Sequence, residues 1–222
     1  MAPFLVYAAL ALGAYLMGSI PAAVWLSRRF YGMDIRTVGS GNAGSTNMYR
    51  TFGFKAGFIT QIFDVIKGVV AVLLPVWFAP PAANDVEQVL AQVLCGVAAV
   101  AGHTFPVFAG FRGGKGVNTI LGMMLALHPL GSLIGVVIFA LVLSAGRMVS
   151  LASMCAVASF PLYIILVEMN WRLSRHSEDA SLIFLALGVA LAGYVVYSHR
   201  TNIARIREGT ERKVNLWKAK RT

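Results

Sequence analysis

The stretch VNTILGMMLALHPLGSLIGVVIFALVLSA, Val117–Ala145, decides how this chain is threaded. It carries no Asp, Glu, Lys or Arg. A bilayer core about 30 Å thick takes roughly 17–25 apolar residues as a helix, so the stretch is too long for one straight span and short for two. His128-Pro129 interrupts it. A proline removes a backbone donor and disfavours helix at the residue before it. Read as one helix, the stretch puts every later loop on the opposite side and leaves a basic C-terminal tail outside. Read as two short helices that turn at His128–Gly131, it keeps Arg147 and the tail inside, where loop Lys and Arg residues concentrate. The two-helix reading is adopted.

The rest of the chain agrees with a membrane protein. Of 222 residues, 58% are hydrophobic and only 13% charged. Further runs without an acid, lysine or arginine are Phe4–Leu26, Val69–Asn84, Gln88–Ala109, Met148–Val167 and Ala180–Ser198. No Lys or Arg precedes the first run, so it lacks the basic flank of a signal peptide and reads as a span. The sequence predicts an all-α integral membrane protein, a single polytopic membrane domain over residues 1–222. Seven helices are expected, at roughly 4–30, 53–79, 87–108, 116–127, 130–145, 149–168 and 180–199. The N-terminus falls outside and the C-terminus in the cytoplasm.

Charge sets that orientation. Arg28, Arg29, Arg36, Arg50 and Lys55 follow the first helix, Arg112 and Lys115 follow the third, and the tail holds Arg200, Arg205, Arg207, Arg212, Lys213, Lys218, Lys220 and Arg221. Asp85 and Glu87 mark an outer loop. A second outer loop, 169–179, carries Arg172 and Arg175, offset by Glu168, Glu178 and Asp179. The net charge of +10 is then positive-inside anchoring, and no nucleic-acid partner is expected. Cys95 and Cys155 sit in apolar runs and read as inert buried thiols with neither disulfide nor metal-ligand spacing.

Three polar segments and one short loop share the cytoplasmic side in this threading. GSGNAGSTNMYRTFG, Gly39–Gly53, has four glycines, short donors at Ser40, Asn42, Ser45, Thr46 and Asn47, the cation Arg50, and no acid. Glycines allow close backbone approach, and successive N–H groups in such turns form anion-binding nests. An arginine adds a two-pronged donor for phosphate. Taken alone, Gly41, Gly44 and Gly53 would fit close packing between membrane helices equally well. GHTFPVFAGFRGGKGVNT, Gly102–Thr119, places Gly113, Gly114, Lys115 and Gly116 just before an apolar helix, whose N-terminus suits an anion. It fails the nucleotide P-loop pattern, with Ala109 and Gly116 where glycine and Ser/Thr are required. Lys115 alone would read as an ordinary loop cation, and His103 alone as a residue ending a helix. SHRTNIARIREGTERK, Ser198–Lys213, sets His199, Asn202 and Arg205 on one face if the helix continues; Glu211 reads as a partner for a nearby base. The loop Arg147–Ser153 supplies Ser150. Within the second helix, Asp64 and Lys67 are either a structural ion pair or part of the site; ionisable residues inside spans have a cost that calls for one or the other.

No nucleophile elbow and no metal-binding helix motif is present. Neither His103 nor His199 is followed by an acid five positions on. No metal and no cofactor are expected. Without such machinery, a group donor would have to arrive already activated. An anion transporter is the competing class, but transporters place the site near the midplane and show inverted repeats, and no repeat is visible here.

Together GSIPAA (18–23), DIRTVGSGNAGSTNMYRTFG (34–53), DVIKG (64–68), GHTFPVFAGFRGGKGVNT (102–119), RMVSLAS (147–153) and HRTNIARIREGTERK (199–213) resemble the bacterial membrane glycerol-3-phosphate acyltransferases that use acyl phosphate, the PlsY family. The resemblance covers nearly the whole chain, in order. Departures are a long basic outer loop at Trp171–Asp179 and Ile206 where Leu is common. The resemblance implies a seven-helix enzyme of the bacterial inner membrane that acylates the 1-hydroxyl of glycerol-3-phosphate, giving lysophosphatidate and phosphate, the first acylation of phospholipid synthesis. Its partners would be acyl phosphate, glycerol-3-phosphate and membrane lipids, and a monomer is expected. By resemblance, Ser40, Gly41, Asn42, Gly44, Thr46 and Asn47 serve the acyl-phosphate head. Arg50, Lys115, Ser150, His199 and Asn202 hold glycerol-3-phosphate, with His103, Gly113, Gly114, Gly116 and Arg205 in the same binding set. No residue is assigned as base. His103 and His199 are candidates, and the favoured route passes the proton to the donor's own phosphate, because neither histidine has an acid at a spacing that would orient it.

Overall fold

The computed structural model describes residues 3–169 and 177–214. Most of the outer loop around Arg172 and Arg175, and the tail with Lys218, Lys220 and Arg221, lie outside the described residues. The described chain is helical and divides into two compact units, Met1–Pro129 and Leu130–Thr222. Among the described residues, six helical stretches are long and apolar enough to cross a membrane: Phe4–Tyr31, Phe54–Phe78, Asp85–Ala109, Pro129–Gly146, Val149–Met169 and Glu178–Ser198.

The first unit holds α1 (Pro3–Gly18), α2 (Ala22–Tyr31), α3 (Ser45–Phe52), α4 (Phe54–Phe78), α5 (Asp85–Thr104) and α6 (Val117–Leu127). The expected helix at 4–30 is two helices. Pro21 has no N–H to continue the ladder, and the chain breaks at Ser19–Pro21 before α2 begins. Residues 45–52, expected as loop, form a short helix that ends where Gly53 turns with φ 87°. The stretch Val117–Ala145 does separate at His128, into α6 and a helix from Pro129 to Gly146. The 11 residues of α6 rise about 16 Å at 1.5 Å each, less than a bilayer core.

α4 is the hub, packed against α1, α3, α5 and α6. Small residues make the approach possible: a Cβ on Gly68 of α4 would strike the Thr119 carbonyl of α6, and one on Gly122 of α6 would strike the Val65 carbonyl of α4. The α1–α5 contact is built likewise, with Gly18 against Ala99 and Gly102 against Tyr15. With lipid outside, close van der Waals contact replaces the hydrophobic effect as the force between helices. Ala14, Ala71, Cys95 and Ala99 form the small-residue core between α1, α4 and α5. Leu5, Leu12, Phe63, Ile66 and Trp77 point outward and are exposed, as a lipid-facing surface requires.

The second unit holds α7 (Pro129–Gly146), α8 (Val149–Tyr163), α9 (Glu178–Ser198) and α10 (Arg200–Arg207). Pro161 inside α8 removes a ladder donor, and the chain continues as wider π-type turns over Ile164–Met169. α8 packs on α9, burying Phe184, Ile164 and Val195 completely. Glu168, which the charge reading set against the loop arginines, is buried and accepts a 3.4 Å hydrogen bond from Ser181 Oγ of α9.

Gly68→Val and Gly122→Val should each lower the thermal midpoint in detergent, with an overpacking cost of about 1–3 kcal/mol. Gly13→Val is the control, since nothing lies within 4 Å of its Cβ position. Equal midpoints for all three would disprove the close α4–α6 approach.

Candidate functional site

In the first unit, the loop after α2 is shaped by Asp34 and Asn47. Asp34 caps the turn Ile35–Thr37 by accepting from the Arg36 N–H at 3.0 Å. Its carboxylate also takes Arg36 Nε at 3.0 Å, Arg36 Nη2 at 2.8 Å and Arg28 Nη2 at 2.8 Å. The Arg36 guanidinium beside it holds the Asp34 carboxyl well below the usual carboxylate range. Held this way, Arg36 extends Nη1 to the carbonyls of Ala109 at 2.7 Å and Arg112 at 3.3 Å. One side chain thus ties the loop before Gly39 to the loop before Gly113. Sequence reasoning counted Arg36 only as a loop cation; the Asp34–Arg36 spacing was the available signal.

By resemblance, Asn47 belongs with the residues that serve the acyl-phosphate head. In the structure its amide serves the loop itself. Nδ2 donates to the carbonyls of Ile35, Val38 and Asn42 at 3.0, 3.0 and 3.1 Å. Oδ1 accepts from the Ser40 N–H at 2.9 Å. Asn47 is 2% exposed, so it shapes the cradle from beneath. Ser40 and Gly41 are left exposed above it, and Asn42, Gly44, Thr46 and Arg50 are half-buried. Gly41 has φ 72°, a conformation that a side chain strains.

The second loop folds back on the end of α5. Gly113 N–H donates to the Thr104 carbonyl at 3.1 Å and Gly114 N–H to the His103 carbonyl at 3.2 Å. A Cβ at Gly113 would run into the His103 carbonyl, and one at Gly114 into His103 Nε2; these glycines are required by closeness. Gly116 then turns with φ 76° and α6 begins at Val117. The Gly-rich loop and the helix start therefore coincide as expected, with Lys115 half-buried at the junction. The starts of α3 and α6 are linked: Asn118 Nδ2 donates to Ser45 Oγ at 2.8 Å, a contact sequence spacing did not reveal. Two helix N-termini, each a locus of partial positive charge and free N–H groups, lie side by side.

Beneath them is a buried polar cluster. Lys67 Nζ lies 2.9 Å from Asp64 Oδ1, and His103 Nδ1 lies 3.3 Å from the same oxygen. Lys67 also donates to the Ile20 carbonyl at 3.3 Å, an acceptor left over by the break between α1 and α2. The cluster lines a small cavity together with Ala43, Gly113 and Gly114. The open question over Asp64 and Lys67 resolves into an ion pair at the wall of this cavity. The premise that neither histidine has an orienting acid is corrected for His103: Asp64 supplies one from another helix, which no local spacing could show.

In the second unit, the tail residues converge on an acid. Glu211 Oε1 accepts from Ser150 Oγ and Asn202 Nδ2, both at 2.7 Å, and Oε2 accepts from Arg205 Nε at 2.8 Å. Burial alone would raise the Glu211 carboxyl, but the donors Asn202, Ser150 and Arg205 bring it below its ordinary value. α9 ends at Ser198 and α10 resumes at Arg200, so Asn202 and Arg205 share a face as expected. His199 sits at the junction, 4% exposed, with Nδ1 at 2.8 Å from the Val195 carbonyl. A backbone carbonyl orients it. Since Glu211 is depressed in the folded state, its contribution to stability is full above the ordinary glutamate range and is lost as pH falls through the folded value.

Arg36→Ala should free the second loop, with amide exchange at Phe111, Gly113 and Gly114 rising about tenfold or more as local opening becomes easier. Arg36→Lys should restore little, since lysine cannot bridge Asp34 and two carbonyls with a planar fork. Unchanged exchange in Arg36→Ala would disprove the tie. Glu211→Gln should lower the thermal midpoint at neutral pH and narrow its difference from the parent in acid.

Comparison with known proteins places nearly the whole chain in one family. The family model for glycerol-3-phosphate acyltransferase matches residues 8–209. The glycerol-3-phosphate acyltransferase of Chlorobium limicola is 40% identical over 225 residues, covering 92% of this chain and 95% of that protein. That of Clostridioides difficile is 42% identical over 208 residues, covering 94% and 95%. A crystal structure of PlsY (YgiH), an integral membrane glycerol 3-phosphate acyltransferase, in its glycerol 3-phosphate form matches with TM-score 0.77 at 31% identity, covering 94% of this chain and 96% of that one. Its lysophosphatidic acid form matches with TM-score 0.76 at 29% identity, covering 94% and 95%. With near-complete coverage and the same polytopic helical fold, this chain belongs to the glycerol-3-phosphate acyltransferase family, the integral membrane acyltransferases of phospholipid synthesis.

Proposed function

We propose that the acyl donor is acyl phosphate and that the products are 1-acyl-glycerol-3-phosphate and inorganic phosphate. The observation that carries this reading is the pair of adjoining anion cradles in the first unit: the Ser40–Gly44 turn before α3 and the Gly113–Gly116 turn before α6, bridged by Asn118 and Ser45. They suit a small phosphate head. Arg50 and Lys115 supply the cations. Arg50, Lys115, Ser150, His199 and Asn202 remain the candidates for glycerol-3-phosphate, and Glu211 holds Ser150, Asn202 and Arg205 in place.

An acyl phosphate is a mixed anhydride and needs no covalent enzyme intermediate. The 1-hydroxyl oxygen attacks the acyl carbon, the bond from that carbon to the phosphate oxygen breaks, and phosphate leaves with the hydroxyl proton. Holding both reactants in line supplies much of the rate, and the N–H groups at the starts of α3 and α6 stabilise the charge that develops. His103 Nδ1 faces Asp64, and Gly114 lies over Nε2. With Nε2 packed against Gly114, His103 serves structure in this reading, and the hydroxyl proton leaves with the departing phosphate. The seven-helix reading, N-terminus outside and C-terminus in the cytoplasm of a bacterial inner membrane, and the monomer belong to the same proposal.

Purified protein given acyl phosphate and glycerol-3-phosphate should form lysophosphatidate and phosphate in equal amounts, with no appreciable turnover of acyl-CoA; comparable rates from acyl-CoA would overturn the reading. Arg50→Ala and Lys115→Ala should each lower kcat/KM by about tenfold or more, about 1.4 kcal/mol of transition-state stabilisation. Single cysteines at positions 112 and 210 should react only from inside and one at 84 only from outside. Labelling of 210 from outside would disprove the threading.

A further inference from the structure

The Asp64–Lys67–His103 cluster has a geometry that the reaction as proposed does not account for. All three side chains are buried, at 2%, 6% and 7% exposure. They come from two helices, and a third segment joins through the Ile20 carbonyl. A carboxylate has no proton to give, so at the 3.3 Å contact the shared hydrogen sits on His103 Nδ1. That leaves the Nε2 edge turned toward Gly114, where even a methyl group would not fit. The backbone of the same histidine accepts the Gly114 N–H. The turn that carries Lys115 is therefore seated on both the ring and the carbonyl of one residue, and that ring is oriented by a charge in the membrane-spanning α4.

We propose that Asp64 is a positioning residue: it holds His103 with a proton on Nδ1, and through the ring it sets the Gly113–Lys115 turn in its anion-binding shape, while Lys67 balances its charge and anchors it to the broken turn at Ile20. Asp64 does not touch substrate. Its effect appears in how well the turn meets a phosphate group. The proposal rests on the acyltransferase reading only for its kinetic consequence; the tautomer and the shape of the turn follow from the cluster alone.

The test uses the full-length protein in detergent or bilayer discs. Asp64→Asn leaves Lys67 as an unpaired buried cation and is expected to fold poorly, so the informative variant is Asp64→Asn with Lys67→Met, which removes both charges together. Nitrogen NMR on ring-labelled protein, with His103 assigned by its substitution, should find a proton on Nδ1 in the parent and lose that preference in the double variant. In kinetics the double variant should raise KM for a phosphate-bearing substrate about tenfold with a smaller change in kcat, the pattern of weakened binding. His103→Asn places an amide donor where Nδ1 stood, and should retain more activity than His103→Gln or His103→Ala. These three carry no charge change, so they decide the matter if the double variant does not fold. A parent ring protonated only on Nε2 would overturn the proposal, as would a folded double variant with unchanged KM, or His103→Asn no better than His103→Ala. Absence of turnover in the parent with acyl phosphate would count against the proposed donor and leave the NMR result to judge Asp64.

Discussion

An ion pair inside a membrane-spanning helix organises the first unit. Charges in a low-dielectric interior have a desolvation cost of several kcal/mol each, offset only when geometry and further hydrogen bonds are good. Asp64 and Lys67 meet that condition by reaching beyond each other. Lysine takes the Ile20 carbonyl, and aspartate faces the imidazole of His103. Non-helical backbone at membrane depth is tolerated only where its polar groups are satisfied within protein. The break at Ser19–Pro21 is thus possible because α4 carries a lysine at the right height, and that height is fixed by the glycine contacts of α4 with α6 and of α1 with α5.

The loops above depend on this base. The Gly113–Gly114 turn rests on His103, and α6 starts where the turn ends. Asn118 then sets the start of α6 against Ser45 at the start of α3. Arg36 closes the circuit from the other side, anchored by Asp34 and bonded to the carbonyls of Ala109 and Arg112. The ties made by His103 and Arg36 satisfy backbone groups that a glycine-rich loop would otherwise leave to water. The result is a pair of helix starts held side by side in advance, an arrangement that favours negative charge.

The second unit uses a different device for the same end. Glu211 lies in a segment without regular structure, yet it gathers a serine from α8 and an asparagine and an arginine from α10. It keeps the chain after α10 folded back, an arrangement extended by the Val214 N–H bonded to the Arg147 carbonyl at 2.7 Å. Polar side chains proposed to meet a substrate are in this way given fixed rotamers by an acid that has no chemistry of its own to perform.

The sequence by itself determined the elements and much of the candidate site's composition. Apolar runs set helix positions to within a few residues because a bilayer imposes length and excludes charge, and His128-Pro129 marked a true break. Pro21 marked another that the hydropathy of Phe4–Leu26 concealed. Gly113–Gly116 before α6 was legible because a turn and a helix start are local events. The rest depended on tertiary structure, since it joins residues far apart in the chain. Spacing along the sequence offers His103 no acid, whereas packing α4 on α5 brings Asp64 to 3.3 Å. Asn47 reads as a ligand donor until the loop closes over it and takes its hydrogen bonds. Local pattern states which groups are available; only the folded contacts state which of them are already committed to one another.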